Sequence, residues 1–119
     1  MTLKSLAPTL YTKQVKETVK FYTTVLGFTC NNFMDDWGWV SMSRDEVEIM
    51  IAYPNSHLTF EKPCFTGSFY IQTDNADSVF DQLKDKVKIC YPIETFDYGM
   101  REFAIYDNNG YLIQFGNPV

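Results

Sequence analysis

The apolar positions of the chain first follow a strand pattern and then a helical one. Residues 6–12 are rich in β-prone side chains, and apolar side chains then recur at helical spacing over residues 15–26, directly before Gly27. This spacing predicts an amphipathic helix that a glycine ends. Three runs with strand character follow, at residues 28–34, 37–42 and 47–52. The first half therefore predicts the order β-α-β-β-β.

The same order returns in the second half. Residues 68–73 predict a strand, residues 76–83 a helix capped by Asp74 and Asn75, and residues 87–90 a short strand. Two further strands, at 101–106 and 111–115, predict a hairpin in which Asn109 and Gly110 supply positive φ angles. We therefore expect an α+β fold of two βαβββ modules, residues 1–52 and 68–119, in a single domain with a connector at 53–67.

Alternate side chains in three of these strands form one uniformly apolar face, which should pack on the helices. The opposite face mixes aromatic, amide, carboxylate and sulfur-containing side chains, namely Glu48, Met50, Tyr70, Gln72 and Gln114. Pockets for small organic molecules have this mixed character. The alternative is a half-exposed sheet face without a ligand.

Composition narrows the range of partners. The chain has 119 residues, is 45% apolar and carries a formal charge of −5, which fits a compact domain and opposes binding to nucleic acid or to anionic membranes. The three cysteines include no CxxC pair, so neither a disulfide framework nor a thiolate zinc site is expected. There is no pattern typical of a signal peptide, and we expect a cytoplasmic protein.

Few residues suggest catalysis. The single histidine, His57, lies in the connector, so one chain cannot build a metal site from several imidazoles. Glu48 could be a metal ligand, a general base, an acceptor for a cationic ligand, or the partner of a nearby basic residue.

Two acidic and two aromatic residues follow one another before the third predicted strand. Asp35 and Asp36 form either a solvated turn or a cation site. Trp37 and Trp39 share a predicted strand face, where they could line a groove for a flat ring or belong to a subunit interface.

Two motifs carry a resemblance to a known family. Residues 21–28 (FYTTVLGF) and 98–116 (YGMREFAIYDNNGYLIQFG) resemble the glyoxalase, bleomycin-resistance and extradiol-dioxygenase superfamily, and the resemblance extends over essentially the whole chain. It implies paired βαβββ modules that form curved mixed sheets with a concave cup, with helices on the outer face. The layout looks most like the bleomycin-resistance proteins, which are metal-free dimers that sequester a cationic glycopeptide drug.

The resemblance also assigns roles to positions. The metal ligands of the family's enzymes fall at Ala7, Glu48, Ser68 and Gln114, and only Glu48 is of a ligating type, so we expect no metal and no cofactor. Trp37 and Tyr98 fall at aromatic positions of the drug-binding relatives. The resemblance further implies a homodimer whose first strand is exchanged near Pro8, with ligand grooves where the subunits meet.

The sequence thus favours a cytoplasmic, homodimeric, metal-free protein that binds a planar or cationic small molecule. We expect stacking on the aromatic residues, negative potential from the acidic ones and hydrogen bonds from the amides; the candidate set is Asp35, Asp36, Trp37, Trp39, Glu48, Met50, Tyr70, Gln72, Tyr98 and Gln114. One alternative is a metal-dependent lyase, transferase or dioxygenase-related enzyme that uses Glu48. Another is an interaction module whose sheet faces are filled by their own side chains.

Overall fold

The predicted α+β class and the repeated order of elements are confirmed by a computed structural model, which describes residues 1–33, 38–57 and 59–119. The chain divides into two compact units, residues 1–63 and 64–119. The first contains β1 (Thr9–Tyr11), α1 (Val15–Thr24), β2 (Thr29–Phe33), β3 (Trp39–Arg44) and β4 (Val47–Ala52). The second contains β5 (Phe69–Gln72), α2 (Ala76–Leu83), β6 (Lys88–Thr95), β7 (Met100–Tyr106) and β8 (Leu112–Pro118).

Each unit has one mixed four-stranded sheet. The strand orders are β1-β4-β3-β2 and β5-β8-β7-β6. In both sheets the first strand of the unit is parallel to the last, so that Thr9 lies opposite Met50 and Tyr70 lies opposite Gln114. The other pairings are antiparallel. The two sheets therefore have the same topology, as a repeated module requires.

The apolar strand faces contribute to the core, as the alternation predicts. Ile49 and Ile51 are buried in the first unit, and Ile113 is buried in the second. In the second unit, Phe80 of α2 packs edge to face on Phe103 of β7, with 5.1 Å between the ring centroids. The helix of this unit therefore lies on the apolar face of its sheet and not on the mixed one.

The helix boundaries follow the predicted capping residues. The Asn75 side chain accepts a hydrogen bond of 3.0 Å from the backbone N–H of Ser78, which makes it the N-cap of α2. After α1 the chain turns at Gly27, whose φ is 75°, and the N–H of Phe28 donates to the carbonyl of Tyr22. This backward bond is typical of helices that a glycine ends. Among the described residues, no helix is long and apolar enough to cross a lipid bilayer.

The β7–β8 turn corrects one sequence-based expectation. Gly110 has a φ of 89°, but Asn109 does not share this conformation, since Asp45 is the one non-glycine residue with positive φ in the described ranges. The turn is held instead by the buried Asp107, whose Oδ1 accepts hydrogen bonds from the N–H groups of Asn109 and Tyr111 at 2.8 and 2.9 Å. A side-chain acceptor thus replaces the second left-handed residue.

Strand β6 corrects a second expectation, because it continues to Thr95 instead of ending at Cys90. Pro92 lies within it. A proline cannot donate a hydrogen bond to a neighbouring strand, but β6 is an edge strand of its sheet. Its register with β7 also shifts once before and once after Tyr91. The proline is therefore tolerated, and β6 continues past it to Thr95.

Candidate functional site

The mixed face of the second sheet gathers side chains from all four of its strands around one buried carboxylate. Glu102 of β7 lies opposite Gly116 of β8, while Ala104 lies between Gln114 and Tyr91. Because side chains alternate along a strand, these residues share a face. The Glu102 side chain is nevertheless only 1% exposed. A charged group this deep in a small unit needs several hydrogen bonds to remain there.

Those hydrogen bonds come from neutral groups. The Tyr70 hydroxyl donates to Oε1 of Glu102 at 3.0 Å, and the Tyr91 hydroxyl donates to Oε2. The Gln114 amide donates to the Tyr91 oxygen at 2.9 Å and approaches Oε2 of Glu102 at 3.5 Å. The Ser68 hydroxyl in turn donates to the Gln114 carbonyl oxygen. We call these five residues the Glu102 cluster.

A missing side chain allows Tyr70 to take this position. Tyr70 lies over Gly116, where an added Cβ would be only 2.0 Å from the phenolic oxygen of Tyr70. Nothing unusual in the φ angle of Gly116 demands a glycine. The glycine therefore serves a close approach between a side chain and the backbone, and this approach brings Tyr70 within reach of Glu102.

Aromatic side chains extend the site beyond the cluster. Tyr98 stacks on Phe96 with ring centroids 5.5 Å apart, and Phe96 packs edge to face on Tyr91 at the same centroid distance. The turn between β6 and β7 presents Tyr98, since Gly99 has a φ of 86° and its N–H donates to the Phe96 carbonyl. Tyr98 is 66% exposed, so much of its ring is available to a partner.

The buried carboxylate changes the acidity of the tyrosines. Desolvation and the hydrogen bond to Glu102 raise the pKa of Tyr70 to about 12. Desolvation and the Glu102 carboxylate likewise raise the pKa of Tyr98 to about 12, and they raise that of Tyr91 further. At neutral pH all three side chains are therefore protonated phenols that can donate hydrogen bonds.

The structure brings together only part of the predicted set in this unit. Tyr70 and Gln114 belong to the Glu102 cluster, and Tyr98 lies beside it. Gln72 is exposed at the end of β5, opposite Gly116.

Sequence reasoning missed Tyr91 and Glu102. The strand predicted at residues 87–90 ended one residue before Tyr91. A signal for Glu102 was present, because a single acid interrupts the apolar strand that contains Phe103 and Ile105.

The remaining predicted residues fall in the first unit. Glu48 is exposed and accepts a hydrogen bond of 2.7 Å from the buried Ser41 hydroxyl, so its observed partner is a neutral group and not a basic residue. Met50 lies half-buried between Ser41 and Thr9, and Trp39 lies half-buried opposite Ala52. Asp35, Asp36 and Trp37 lie outside the described residues.

The chemistry of the residues does not fit a divalent metal. Of the four positions that the resemblance assigns to metal ligands, Ala7 has no donor atom, and the hydroxyl of Ser68 and the amide of Gln114 are engaged with each other. Glu48 alone supplies a charged oxygen, whereas a divalent ion needs several such ligands. Among the described residues no three His, Cys, Asp or Glu side chains form a group that could hold a metal ion.

Comparison with known proteins identifies one family. Residues 3–115 match the family described as the Glyoxalase/Bleomycin resistance protein/Dioxygenase superfamily. The search of curated protein sequences gave no match.

Solved structures share the fold at low sequence identity. TioX from Micromonospora sp. ML1 is 14% identical, with a TM-score of 0.80 over 98% of this chain and 99% of its own. The bleomycin-binding protein from Streptomyces verticillus, solved with copper(II)-bleomycin, is 21% identical, with a TM-score of 0.73 over 97% of this chain and 96% of its own. A glyoxalase/bleomycin resistance protein/dioxygenase from Nocardioides is 16% identical, with a TM-score of 0.79 over 100% of this chain and 86% of its own.

Proposed function

Because the chain belongs to the glyoxalase/bleomycin resistance protein/dioxygenase superfamily, we propose that it is a metal-free protein that binds a planar or cationic small molecule without transforming it. The observation that carries this proposal is Glu102, a buried carboxylate on a sheet face that the helix of its unit leaves uncovered. A structural core gains nothing from such a group, since burying a charge is costly. A binding face gains negative potential from it.

The surroundings of Glu102 suit an organic guest. Tyr98 offers an exposed aromatic ring for stacking, and Tyr70 is 40% exposed beside the carboxylate. Aromatic faces attract both flat rings and cations. Gln72 lies at the rim of this face and supplies an exposed amide for a hydrogen bond. The binding face in the second unit therefore combines the apolar and polar features of small-molecule sites.

The first unit contributes a second face in this proposal. Trp39, Glu48 and Met50 lie on it, and Asp35, Asp36 and Trp37 shortly precede Trp39 in the sequence. We propose that this face binds a planar compound.

The donor chemistry supports binding over metal-assisted catalysis. The lyase and dioxygenase reactions of the superfamily require a Lewis acid. Ala7, Ser68 and Gln114 do not supply the ligands that such an ion prefers. Binding alone would be enough to protect a cell from a toxic compound, as sequestration lowers its free concentration.

A homodimer completes the proposal, with the first strand exchanged near Pro8. Strand β1 contributes only three residue pairs to its sheet, and the preceding residues include the exposed side chains of Leu3 and Leu6. An apolar segment of this kind gains from a partner that covers it.

Titration of the purified protein tests the proposed function. Bleomycin and a set of planar aromatic compounds would be added while intrinsic fluorescence and the melting temperature are recorded. A ligand at one hundred times its Kd stabilises the folded state by about 2.7 kcal/mol, which is readily seen in a melting curve. Tyr98→Ala should weaken binding, whereas Tyr53→Ala, which removes another exposed tyrosine from the connector, should not.

Two results would overturn the proposal. One is the absence of any response to every cationic or planar compound in the set. The other is a reaction that divalent metal supports and EDTA abolishes, since the protein would then be an enzyme. Binding that is unchanged by EDTA is the expected result.

A further inference from the structure

The hydroxyl donors of the Glu102 cluster are all used inside it. Tyr70 and Tyr91 each have one hydroxyl proton, and both donate to Glu102. Ser68 donates to Gln114, and the Gln114 amide nitrogen donates toward the Tyr91 oxygen and Oε2 of Glu102, which lie on the same side of it. What these hydroxyl groups still offer a guest is acceptor capacity, chiefly at the Tyr70 oxygen, which accepts no hydrogen bond within the cluster. A guest must therefore bring its own donors.

The charge of the cluster points the same way. All the hydrogen-bond partners of Glu102 within the described residues are neutral, and Glu94, exposed on β6, lies opposite it in the ladder. Arg101 is paired with Asp77 at 2.9 Å. Lys88 lies over the ring of Tyr106. Tyr106 is four residues after Glu102 in β7, a separation of about 13 Å along a strand. The potential around the cluster is therefore negative.

Resting on the proposed function, we propose that the Glu102 cluster selects organic cations that carry N–H groups: protonated amines, amidinium ions or guanidinium ions. The N–H groups donate chiefly to the phenolic oxygen of Tyr70, while the Glu102 carboxylate behind it balances the positive charge. The attached apolar group stacks on Tyr98. Hydrogen bonds between charged and polar groups of this kind are stronger than neutral ones.

Other classes of small molecule fit the Glu102 cluster less well. A carboxylate or phosphate would meet negative charge and no free hydroxyl donor in the cluster. A neutral carbonyl compound would find acceptors opposite its own acceptor. A quaternary ammonium ion could contact the aromatic rings but could not donate a hydrogen bond to the phenolic oxygens.

Four probes with the same phenyl ring test this selectivity: benzylamine, benzamidine, benzyltrimethylammonium and benzyl alcohol. Each would be titrated at neutral pH into the 15N-labelled full-length protein, and Kd would be obtained from amide shifts of β5 to β8. Benzylamine and benzamidine should bind at least about tenfold more tightly than the other two probes, because a hydrogen bond involving a charged group is worth roughly 1.5–3 kcal/mol.

Two variants with the same change in charge provide the control. Glu102→Gln should weaken benzylamine binding about tenfold or more and leave benzyl alcohol binding unchanged. Glu94→Gln removes an exposed charge on the neighbouring strand and should change the affinity much less, since exposed charges are screened by water and salt. An equal effect of both variants would contradict a specific role for Glu102. The comparison of probes on the unchanged protein needs no variant, so a Glu102→Gln protein that does not fold leaves the test intact.

The outcomes separate this inference from the proposed function. If benzyltrimethylammonium or benzyl alcohol binds as tightly as benzylamine, the selectivity for N–H cations is refuted, while small-molecule binding stands. If none of the probes shifts an amide of the second sheet but bleomycin or a planar compound binds elsewhere, the inference also fails alone. If nothing binds at all, both fail together.

Discussion

Gly116→Ala tests the geometry of the Glu102 cluster with a single added methyl group. The new Cβ would lie 2.0 Å from the phenolic oxygen of Tyr70, 2.9 Å from its Cζ and 3.0 Å from Cβ of Glu102. Contacts this short cannot persist, and the half-exposed Tyr70 is free to turn toward solvent. We therefore expect the hydrogen bond between Tyr70 and Glu102 to break.

The size of the effect follows from two opposing contributions. Loss of a hydrogen bond to a charged group costs about 1.5–3 kcal/mol, and the partial exposure of Tyr70 places the cost near the lower end. Replacing glycine by alanine in a strand returns roughly 0.5–1 kcal/mol of conformational entropy. The free energy of unfolding should therefore fall by about 1 kcal/mol, which corresponds to a drop in melting temperature of about 3–5 °C for a domain of this size.

A double-mutant cycle distinguishes this mechanism from general overpacking. Urea unfolding would be measured for Gly116→Ala alone and in a Tyr70→Ala background, where there is no phenol to displace. In that background the alanine should be neutral or slightly stabilising. An equal loss of stability in both backgrounds would refute the reasoning, because the cost would then come from the contact with Glu102 or from the backbone. In addition, the pKa of Tyr70 should return from about 12 toward 10 in Gly116→Ala.

Three further predictions concern the rest of the molecule. Asn75→Ala should lower the free energy of unfolding by about 1 kcal/mol through loss of the α2 cap, and Asn75→Asp should retain it; equal losses would exclude capping as the cause. Absorbance at 295 nm should show Tyr70 and Tyr98 ionising near pH 12, and stability should be complete below pH 10 and fall as the pH rises through 12, since the unfolded chain releases these protons first; a stability that stays constant over this range would contradict the assigned shifts. Light scattering should give twice the chain mass of 13.9 kDa, and deletion of residues 1–8 should yield monomers; a monomeric full-length chain would exclude the proposed dimer.

The fold could be predicted from the sequence because its determinants are local. Helical spacing, the cap at Asn75 and the alternation in β4 and β8 each depend on neighbouring residues, and the repeated order of elements follows from them. The turn at Gly110 was predicted for the same reason. The role of Asp107 in that turn was not, because its side chain bonds to backbone groups that only the folded turn brings close.

The candidate site was predicted only in part because its residues come from distant strands. The alternation placed Tyr70 and Gln114 on the mixed face. Tyr91 was not predicted, because a proline such as Pro92 beside it is typical of a strand end. The structure tolerates this proline because β6 is an edge strand. In the sequence, Glu102 is a single acid in an apolar strand. Only the strand register of the folded sheet places two tyrosines within hydrogen-bond distance of it.

The proline and the two register shifts in β6 have a consequence for association. Exposed strand edges are templates on which other chains can add a strand, and this leads to aggregates. An edge with a missing N–H group and an irregular ladder is a poor template. The second sheet is thereby protected along its β6 edge against growth into fibrils.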